Sequence, residues 1–403
     1  MKILHIIPSY EPAWELGGVV HSVNLLCRGQ ARQGVAVTVF TTDSARDYRL
    51  EVPVNQRLEL GGVEVYYFKT DFSLNFAYSK ALKTACQDMI KNFDIINLHS
   101  YWNYPSIPAY REAKKHNIPY IIHTHGSSSP YALKTRFFRK WVYKKLVLDW
   151  QIRQAAAIRF TTELERTISC YREIEVPSFV VANGINISEF KESGDKQILK
   201  KDLGISADTQ VILYLGRLHE GKGLDLLLNA FALVVKSFPD TVLIVAGPDF
   251  GMMDKLKNLA ARVGIQSKVL FPGYIAPEDT KKLYGAADLF ALASEGENFS
   301  NVTVEAMLSG VPVLVSDQVG ICKDVLADGA GMVVPLNIEL IAQAINRMLA
   351  DPAGLKAMGL AAAAKARQRY DNDMVAQKMI VAYIDILEGK RSPEVSWYCY
   401  DGT

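Results

Sequence analysis

The sequence predicts an α/β protein with two doubly wound parallel-sheet domains. Short, continuously apolar runs alternate with stretches of helical length along the whole chain, and 403 residues exceed what one ordinary core organises. Continuously apolar strands are typical of parallel sheets that helices cover on both faces. We place the domains at residues 1–190 and 191–372, because a polar, charged stretch, KESGDKQILKKDLG, follows residue 190.

The first domain contains five runs that have the composition of buried strands. The run that opens the chain is interrupted by His5 and ended by Pro8, and no small-residue cleavage site follows, so we expect a strand here rather than a signal peptide. A helical stretch, VHSVNLLCRGQARQG, lies between the first two runs and ends at Gly34. The five runs are KILHIIP, VAVTVFTTD, VEVYYFK, FDIINLHS and PYIIHTHG.

The second domain repeats this scheme. Its helical stretches include LDLLLNAFALVVKSF, and an amphipathic pattern over about residues 373–391 predicts a last helix. Ligands of doubly wound sheets bind beyond the carboxyl ends of the strands, so the loops that follow the strands are the candidate site. The predicted strands of this domain are QVILYLGR, TVLIVAGP, KVLFPGY, LFALAS and PVLVSD.

Charge and cysteine content exclude several classes of function. The net charge of +2 gives no support to nucleic-acid binding, although residues 1–190 alone carry 23 Lys/Arg against 17 Asp/Glu. Five cysteines are scattered without a C-x-x-C spacing, which argues for a reducing compartment and against disulfides or a zinc–thiolate site. No run approaches the ~20 apolar residues of a membrane span. We therefore expect a cytoplasmic protein.

A basic pair follows the first strand of the second domain. In YLGRLHEGKGLD, Arg217 and Lys222 flank a turn that begins at Gly216 and leads into a helix. The free N–H groups of a helix N-terminus bind anions, and with two cations beside them a diphosphate would suit the site. The spacing also has the outline of a P-loop, but Gly223 stands where a Ser or Thr would hold magnesium. The alternative is that both cations only cap a solvated turn.

Two acidic residues lie eight positions apart in SEGENFSNVTVEAMLSGVPVLVSD. Glu297 lies in a loop after a predicted strand, and Glu305 lies just over one turn into the next helix. Ser300 or Asn301 is the expected N-cap of that helix. A second anion site is therefore expected at its first turn, formed by the backbone amides of Phe299, Ser300, Asn301 and Val302.

The acids and the anion sites together suit one class of ligand. Carboxylates accept hydrogen bonds from hydroxyl groups, in which sugars and riboses are rich. A nucleotide-sugar has phosphates for both helix ends and hydroxyls for both acids. The alternative is that Glu305 is an ordinary first-turn acid and Glu297 a solvated loop residue. A glycoside hydrolase with the two acids as acid and nucleophile would leave Arg217 and Lys222 without a role.

These motifs resemble those of the retaining, nucleotide-sugar-dependent glycosyltransferases of family 4. That family has the GT-B fold, in which two Rossmann-like domains face a central cleft, and the resemblance covers nearly the whole chain. The E-x7-E spacing and GRLHEGKG carry it, together with VVANGINISEF, LIVAGPD, YGAADLFALAS, the pair Gly17-Gly18 and HTHG.

The resemblance implies a role for each matched residue. Glu305 would hold the ribose hydroxyls, and Glu297 would face the hydroxyls of the donor sugar. Arg217 and Lys222 would hold the diphosphate and stabilise it as leaving group. His125 would line the donor sugar from the opposite domain, and the last helix would cross back onto the first domain.

The motif loop departs from the common form of the family in two positions. Asn298 and Ser300 stand where glycine is usual. Asn tolerates left-handed backbone angles better than most residues, so we expect the loop to keep its shape with Asn298 as part of the donor site.

The first domain offers fewer signals. Gly17 and Gly18 open a helix and could let the backbone approach a phosphate, or form a plain turn. We expect His99 and His123 to be structural, with satisfied hydrogen bonds. No acidic residue accompanies these histidines at ligand spacing, and no Asp-x-Asp pair accompanies the candidate residues. We therefore expect no metal and no other cofactor.

The segment 131–159 is strongly basic, with eight Lys/Arg against one acid, Asp149. A helical register would align one apolar row opposite the basic residues, and such a helix can bind an anionic membrane surface. A core-packed helix with a solvated basic face is the alternative. The expected apolar row is Phe138, Val142, Leu146 and Trp150, with Arg136, Lys140 and Lys144 opposite.

The sequence thus predicts a retaining, metal-independent glycosyltransferase. The expected reaction moves a hexose from a nucleotide diphosphate sugar, UDP-glucose first, to a saccharide or a lipid-linked saccharide. A peripheral position on the inner face of the membrane would suit the second acceptor. A nucleotide-sugar epimerase on the same fold and a non-catalytic sugar-nucleotide-binding subunit are the alternatives. The acceptor, the linkage and the oligomeric state are not fixed by the sequence.

Overall fold

A computed structural model describes residues 1–129, 141–172, 174–190 and 196–390. They divide into two compact units, one of Met1–Gly184 with the chain from Asn372 onward, and one of Ile185–Asp371. Each unit is a parallel sheet with helices, so the predicted fold class is confirmed. No helix in the described ranges is both long and apolar enough to span a bilayer.

The sheet of the first unit runs, within the described residues, in the order β10-β9-β8-β7-β1-β2-β6-β5. All of its neighbours pair in parallel except β5 and β6, which pair antiparallel at one edge. Its strands are β1 Lys2–Ile6, β2 Ala36–Thr42, β5 Arg57–Leu60, β6 Val63–Phe68, β7 Ile95–His99, β8 Tyr120–His123, β9 Ala157–Phe160 and β10 Ser178–Val180. A separate ribbon consists of β3 Ser44–Ala45 and β4 Tyr48–Arg49.

The helices of the first unit flank this sheet. They are α1 Gly18–Arg32, α2 Lys80–Met89, α3 Ser106–Lys115, α4 Asp149–Arg153 and α5 Glu163–Ile168, with a π-helical turn at Lys144–Leu148 and 3-10 turns at Trp14–Leu16 and Ile90–Asn92.

The second unit has, among its described residues, a six-stranded sheet in the order β13-β12-β11-β14-β15-β16, with every pair parallel. Its strands are β11 Gln210–Leu215, β12 Thr241–Ala246, β13 Val269–Gly273, β14 Leu289–Leu292, β15 Val313–Ser316 and β16 Gly331–Val334. Its helices are α6 Lys196–Asp202, α7 Leu224–Ser237, α8 Met253–Arg262, α9 Pro277–Ala286, α10 Asn301–Leu308, α11 Cys322–Ala327, α12 Ile338–Leu349 and α13 Pro352–Tyr370, with 3-10 turns at Ile187–Phe190 and Gln266–Lys268.

The last described helix, α14 (Asn372–Leu387), belongs to the first unit. Its apolar side chains, among them Met379 and Tyr383, are buried in one cluster with Ile3 of β1. The side-chain amide of Asn372 donates to the Leu25 carbonyl at 2.8 Å. Burial of this face explains why an amphipathic pattern was visible in the sequence.

The units divide six residues earlier than the polar stretch after residue 190 suggested. Ile185 already belongs to the second unit, because its N–H donates to the Tyr370 carbonyl at 2.8 Å. The guanidinium of Arg367 donates to the Phe190 carbonyl at 3.0 Å. Backbone pairing of this kind leaves no compositional signal, so the sequence could not place the boundary exactly where it lies.

Candidate active site

The candidate site lies in the second unit, at the point where the strand order of its sheet reverses. From β11 the chain builds outward through β12 to β13, and then returns to the other side of β11 with β14, β15 and β16. The loops after β11 and β14 therefore diverge at a topological switch point, where doubly wound sheets bind their ligands. Arg217 and Lys222 follow β11, and Glu297 follows β14. The structure thus brings the two sequence motifs together.

The loop after β11 presents Arg217 to solvent. The Tyr214 hydroxyl donates to the Arg217 carbonyl at 3.0 Å, which fixes the backbone. The guanidinium carbon lies 5.6 Å from the centroid of the Phe250 ring, a cation–π distance. Within the described ranges Arg217 makes no ion pair, so its charge is free to meet an anion.

Gly223 joins this loop to α7. It is left-handed, with φ of 63°, and a Cβ there would lie 1.7 Å from the Ala293 carbonyl oxygen, so only glycine fits. The close approach brings the N-terminus of α7 against the end of β14. The Ser294 hydroxyl and the Glu295 N–H both donate to the Gly221 carbonyl, at 3.1 and 2.9 Å. The two loops are therefore one hydrogen-bonded assembly.

Glu297 is held by its backbone and by its carboxylate. Its N–H donates to the Gln318 carbonyl at 3.2 Å, and its carbonyl accepts from the Gly320 N–H at 2.7 Å. Its carboxylate forms an ion pair with the Lys222 ammonium. Both side chains are mostly buried, so the pair is screened less than a surface pair. The sequence had assigned these two residues to different parts of a ligand and did not predict that they pair.

Ser300 is the N-cap of α10, as expected, but it caps without its side chain. Its carbonyl accepts from the N–H groups of Thr303 and Val304, and its hydroxyl lies 2.7 Å from the Thr303 hydroxyl. Ser300 is also left-handed, with φ of 73°, whereas Asn298 is not. The tolerance of Asn for left-handed angles is therefore not needed at position 298, and the left-handed residue of the loop is Ser300.

The first turn of α10 contains the backbone amides of Asn301 and Val302, at the end of the helix where N–H groups point away from the helix body. Phe299, just before it, is buried and packs edge-on against Tyr370, with ring centroids 5.4 Å apart. Its side chain anchors the loop, so only its backbone could face a ligand.

Glu305 lies one turn into α10 and accepts a hydrogen bond from the Tyr284 hydroxyl at 2.9 Å. Burial raises the pKa of the Glu305 carboxyl above its ordinary 4.5, and the hydrogen bond from Tyr284 partly offsets this. The second carboxylate oxygen, Oε1, makes no hydrogen bond within the described ranges. The importance of Tyr284 was missed, because no spacing in the sequence connects it to the E-x7-E motif.

His125 lies in the first unit, directly after β8, with φ of 44°. Its Nε2 is 2.9 Å from Nδ1 of His99, whose Nε2 contacts His5. His123 binds the Asn97 side-chain oxygen through Nε2 at 2.8 Å, but its buried Nδ1 has no partner among the described residues. His99 thus has the satisfied bonds we expected, and His123 has only one of two.

Gly17 and Gly18 open α1. The Gly17 N–H donates to the Trp14 carbonyl at 3.0 Å, so this N–H is already occupied. The geometry matches the plain-turn alternative for Gly17, and Gly18 remains a candidate for contact with a ligand.

The described part of the basic segment does not have the core-packed apolar row of the second alternative. Residues 131–140, with Arg136, Phe138 and Lys140, lie outside the described residues. Further along, Leu146 and Trp150 are 75% and 56% exposed, while Leu148 and Ile152 of the same helical stretch are buried. The expected apolar row therefore faces solvent, because another row packs on the core. Arg159 is not helical at all; it lies in β9 and is buried.

One Asp-x-Asp pair escaped the sequence analysis, at Asp371 and Asp373. Asp371 is the last residue of the second unit, and Asp373 lies in the first turn of α14. Asp373 forms an ion pair with Arg32 of α1. The position gives no reason to assign it to the donor site.

Family models match both halves of the chain. One, described as Glycosyltransferase Family 4, matches residues 16–189, and one, described as Glycosyl transferases group 1, matches residues 195–367. The alpha-monoglucosyldiacylglycerol synthase of Streptococcus pneumoniae is 30% identical over 322 residues, which are 78% of this chain and 70% of that protein. The chain is a family 4 glycosyltransferase.

Solved structures agree with this assignment in fold. The sucrose-phosphate synthase of Thermosynechococcus elongatus matches the glycosyltransferase with a TM-score of 0.76 at 20% identity, over 96% of this chain and 100% of that one. HepE of Anabaena, solved in complex with UDP, matches with a TM-score of 0.75 at 23% identity, over 94% and 98%. At these identities the likeness shows the GT-B fold and nothing finer.

Proposed function

We propose that this glycosyltransferase moves a hexose from a nucleotide diphosphate sugar, with UDP-glucose as the first candidate, to a saccharide or lipid-linked saccharide. The anomeric configuration is retained and no metal ion takes part. One observation carries the proposal. At the switch point of the second unit, Arg217 makes no ion pair in the described ranges, while Lys222 of the same loop is held by its ion pair with Glu297.

The diphosphate is the group that these two cations and the helix ends suit. The N-termini of α7 and α10 follow the two loops, and each carries a partial positive charge. Arg217 offers planar N–H groups that fit phosphate oxygens, and Lys222 offers a compact charge. The Lys222–Glu297 pair fixes the ammonium before a ligand arrives, which reduces the cost of ordering it.

Glu305 is proposed to bind the ribose. Its Oε2 is occupied by Tyr284, and Oε1 is left to accept from hydroxyl groups. Glu297 is proposed to accept from a hydroxyl of the donor sugar while it still orients Lys222. Asn298 and the backbone from Phe299 to Val302 complete the donor site in this proposal.

The chemical step follows from the charges. The bond between the anomeric carbon and the phosphate oxygen breaks, and its electron pair stays on the diphosphate. The acceptor oxygen bonds to the anomeric carbon on the same face, and its proton passes to the departing phosphate. Arg217 and Lys222 stabilise the charge that develops on the diphosphate, the role that a metal ion fills elsewhere.

Two comparisons support UDP-glucose as the first donor to test. HepE has also been solved in complex with UDP-glucose, with a TM-score of 0.72 to this chain at 23% identity. The Streptococcus pneumoniae relative is named for a glucosyl product.

A donor panel tests the proposal. Purified protein with EDTA is given UDP-glucose, UDP-galactose, GDP-mannose or ADP-glucose, with and without saccharide acceptors. Products are separated by chromatography and identified by ¹H NMR, which distinguishes epimers and anomers. We expect transfer from one donor, and only when an acceptor is present. The sugar in the product should have the same anomeric configuration, axial or equatorial, as the sugar in that donor. An epimerised nucleotide-sugar without acceptor, or activity lost with EDTA and restored by Mg²⁺, would contradict it.

A lipid-linked acceptor is favoured by an exposed surface of the first unit, formed by Trp141, Leu146 and Trp150. These side chains are 49%, 75% and 56% exposed. Lys145 and Lys114 lie beside them, and the Lys114 ammonium is 4.4 Å from the Trp150 ring. Tryptophan with nearby lysine is typical of surfaces that bind anionic bilayers.

Vesicle binding tests this surface. We expect the protein to co-sediment with vesicles of phosphatidylglycerol and phosphatidylcholine, and Leu146→Ser to weaken the binding. Leu360→Ser is the matched control, since Leu360 is 65% exposed on α13 of the other unit. Equal effects of the two substitutions would remove the support for a membrane role.

A further inference from the structure

A row of hydrogen bonds, buried at His5 and partly buried at His125, connects three histidines in the first unit. They come from three neighbouring strands: His5 from β1, His99 from the end of β7, and His125 from just after β8. His125 Nε2 is 2.9 Å from His99 Nδ1, and His99 Nε2 is 2.9 Å from His5 Nδ1. Each imidazole therefore uses one nitrogen toward each neighbour, and the row runs from the end of the sheet into the core.

The row ends in the core at Gln30 of α1. Its side-chain oxygen lies 2.9 Å from His5 Nε2, and its side-chain nitrogen donates to the Tyr383 hydroxyl at 3.1 Å. Gln30, His5 and Tyr383 are fully buried. This orientation of the amide, with its oxygen toward His5 and its nitrogen toward Tyr383, gives both of its ends a buried partner.

The Gln30 oxygen determines every proton in the row. An amide oxygen can only accept, so His5 carries its proton on Nε2 and leaves Nδ1 with a lone pair. That lone pair accepts from His99, so His99 carries its proton on Nε2 and has a lone pair on Nδ1. The Nδ1 lone pair of His99 in turn accepts from His125, which therefore carries a proton on Nε2. If each ring is neutral, His125 is left with a lone pair on Nδ1.

The rings are neutral because they are buried. Desolvation lowers the pKa of His5 to about 4 and that of His125 to about 3. It also lowers the pKa of His99, with help from the neighbouring histidines and from Arg159. A neutral imidazole donates once and accepts once, as the tautomer argument requires.

A metal ion would be the other use for such a cluster. Nitrogens of His99, His123 and His125 lie within 4.8 Å of one another, but no Asp or Glu joins them among the described residues. The positive charge of Arg159 acts on all three of them. A divalent cation would meet repulsion there with no anionic ligand to offset it, so hydrogen bonding explains the cluster better.

We propose that Gln30 is a positioning residue, which acts through two histidines to hold His125 as its Nε2–H tautomer. Nδ1 of His125 then accepts a hydrogen bond from a substrate hydroxyl, a consequence that rests on the proposed function. The left-handed backbone of His125, rare for a residue with a side chain, fits a position kept for such a contact. A sugar hydroxyl, as donor, is the chemistry that a fixed lone pair recognises.

The tautomers can be observed without any assay. Long-range ¹H–¹⁵N correlation spectra of protein labelled with ¹⁵N-histidine distinguish the Nε2–H from the Nδ1–H form. We expect His5, His99 and His125 in the neutral Nε2–H form from pH 6 to pH 8, assigned by single His→Gln variants. An Nδ1–H form at His125 would overturn the inference, whatever the enzyme transfers.

Substitution of Gln30 tests the direction of control. Gln30→Met keeps the size and removes the strong acceptor, so His125 should become a mixture of tautomers. The value of kcat/KM for the sugar nucleotide should fall about fivefold, the effect of one neutral hydrogen bond. The Kd for the free nucleotide diphosphate, which has no sugar hydroxyl to lose, should not change. Tyr10→Phe is the control, since it removes another fully buried hydroxyl of the same unit, one that lies beside Cys27 and is not part of the histidine row.

The outcomes separate this inference from the proposed function. Unchanged tautomers in Gln30→Met, or an equal loss of kcat/KM in Tyr10→Phe, would overturn the role of Gln30. Stoichiometric uptake of Zn²⁺ with loss of the Nε2–H signals would do the same, since the cluster would then be a metal site. Failure of every sugar nucleotide as substrate would contradict the proposed function but leave the tautomer result standing.

Discussion

Lys222 and Glu297 form an ion pair between two loops that are 75 residues apart in sequence. The pair crosses the switch point of the second sheet, where β11 and β14 are neighbours. It fixes a cation in the loop that also carries Arg217. A charge fixed in advance stabilises a developing negative charge better than one that must reorganise.

Removal of the Lys222 ammonium should affect the chemical step most. We expect Lys222→Ala to lower kcat by about 100-fold or more, since a preorganised cation acts on the leaving group. UDP should still bind, through Arg217 and Glu305. Steady-state kinetics and calorimetry with UDP measure the two effects. Lys255→Ala is the control, because the Lys255–Glu220 pair on a nearby surface is largely exposed; comparable losses in both variants would argue against a specific role.

Glu297→Gln separates the charge of the acid from its hydrogen bonds. The amide can still bind a sugar hydroxyl but no longer pairs with the Lys222 charge. We expect kcat to fall about tenfold or more, with a smaller change in the Kd for UDP, because UDP has no sugar to contact. A variant with full activity would show that the ion pair is only structural.

Glu305 should lower the stability of the free protein at neutral pH. Its pKa in the folded state is raised above 4.5, so the folded protein holds the proton more tightly than the unfolded chain does. Stability is therefore lost as pH rises from the unfolded-state pKa through the folded-state pKa. Glu305→Gln should therefore raise Tm more at pH 8 than at pH 4, and should weaken UDP binding. Thermal unfolding at both pH values checks this, and a Tm gain that is the same at both would contradict it.

Tyr284→Phe should raise the pKa of the Glu305 carboxyl. The Tyr284 hydrogen bond lowers the pKa of Glu305, so its removal should raise that pKa further. If the ionised carboxylate binds the ribose, the midpoint of UDP affinity against pH should shift upward in the variant. Calorimetry with UDP from pH 5 to pH 8 measures the shift; an unchanged midpoint would mean that Glu305 does not control binding.

Ser300→Gly should stabilise the protein. A left-handed residue with a side chain costs roughly 1 kcal/mol more than glycine, and Ser300 makes no side-chain cap that would be lost. Urea unfolding should show a gain of this size, reduced by loss of the contact with Thr303. Ser309→Gly is the control, since Ser309 has φ of −79° and should not gain.

The sequence predicted what depends on local pattern. The apolar runs became strands, and the predicted helix end at Gly34 is a left-handed glycine after α1. The two motifs of the donor site were found because each has its own spacing. The switch-point rule predicts that the two motifs lie close together. It does not predict the Lys222–Glu297 ion pair, because that pair depends on how the two loops pack against each other.

What the sequence could not show depends on contacts between distant segments. Tyr284 matters only because α9 packs beside α10, and Gln30 only because α1 lies beside the histidine row. Leu146 and Trp150 were expected in one apolar row, facing either a membrane or the core, and the structure leaves them exposed because Leu148 is the buried residue. Periodicity reveals that a helix has faces; which face packs is decided by the rest of the fold.

The crystal structure of the protein with UDP is the most direct test of the central claim. The account predicts the diphosphate in contact with Arg217 and Lys222 at the N-terminus of α10, with the ribose hydroxyls on Glu305. UDP bound elsewhere, with none of these three side chains within hydrogen-bond distance, would contradict it.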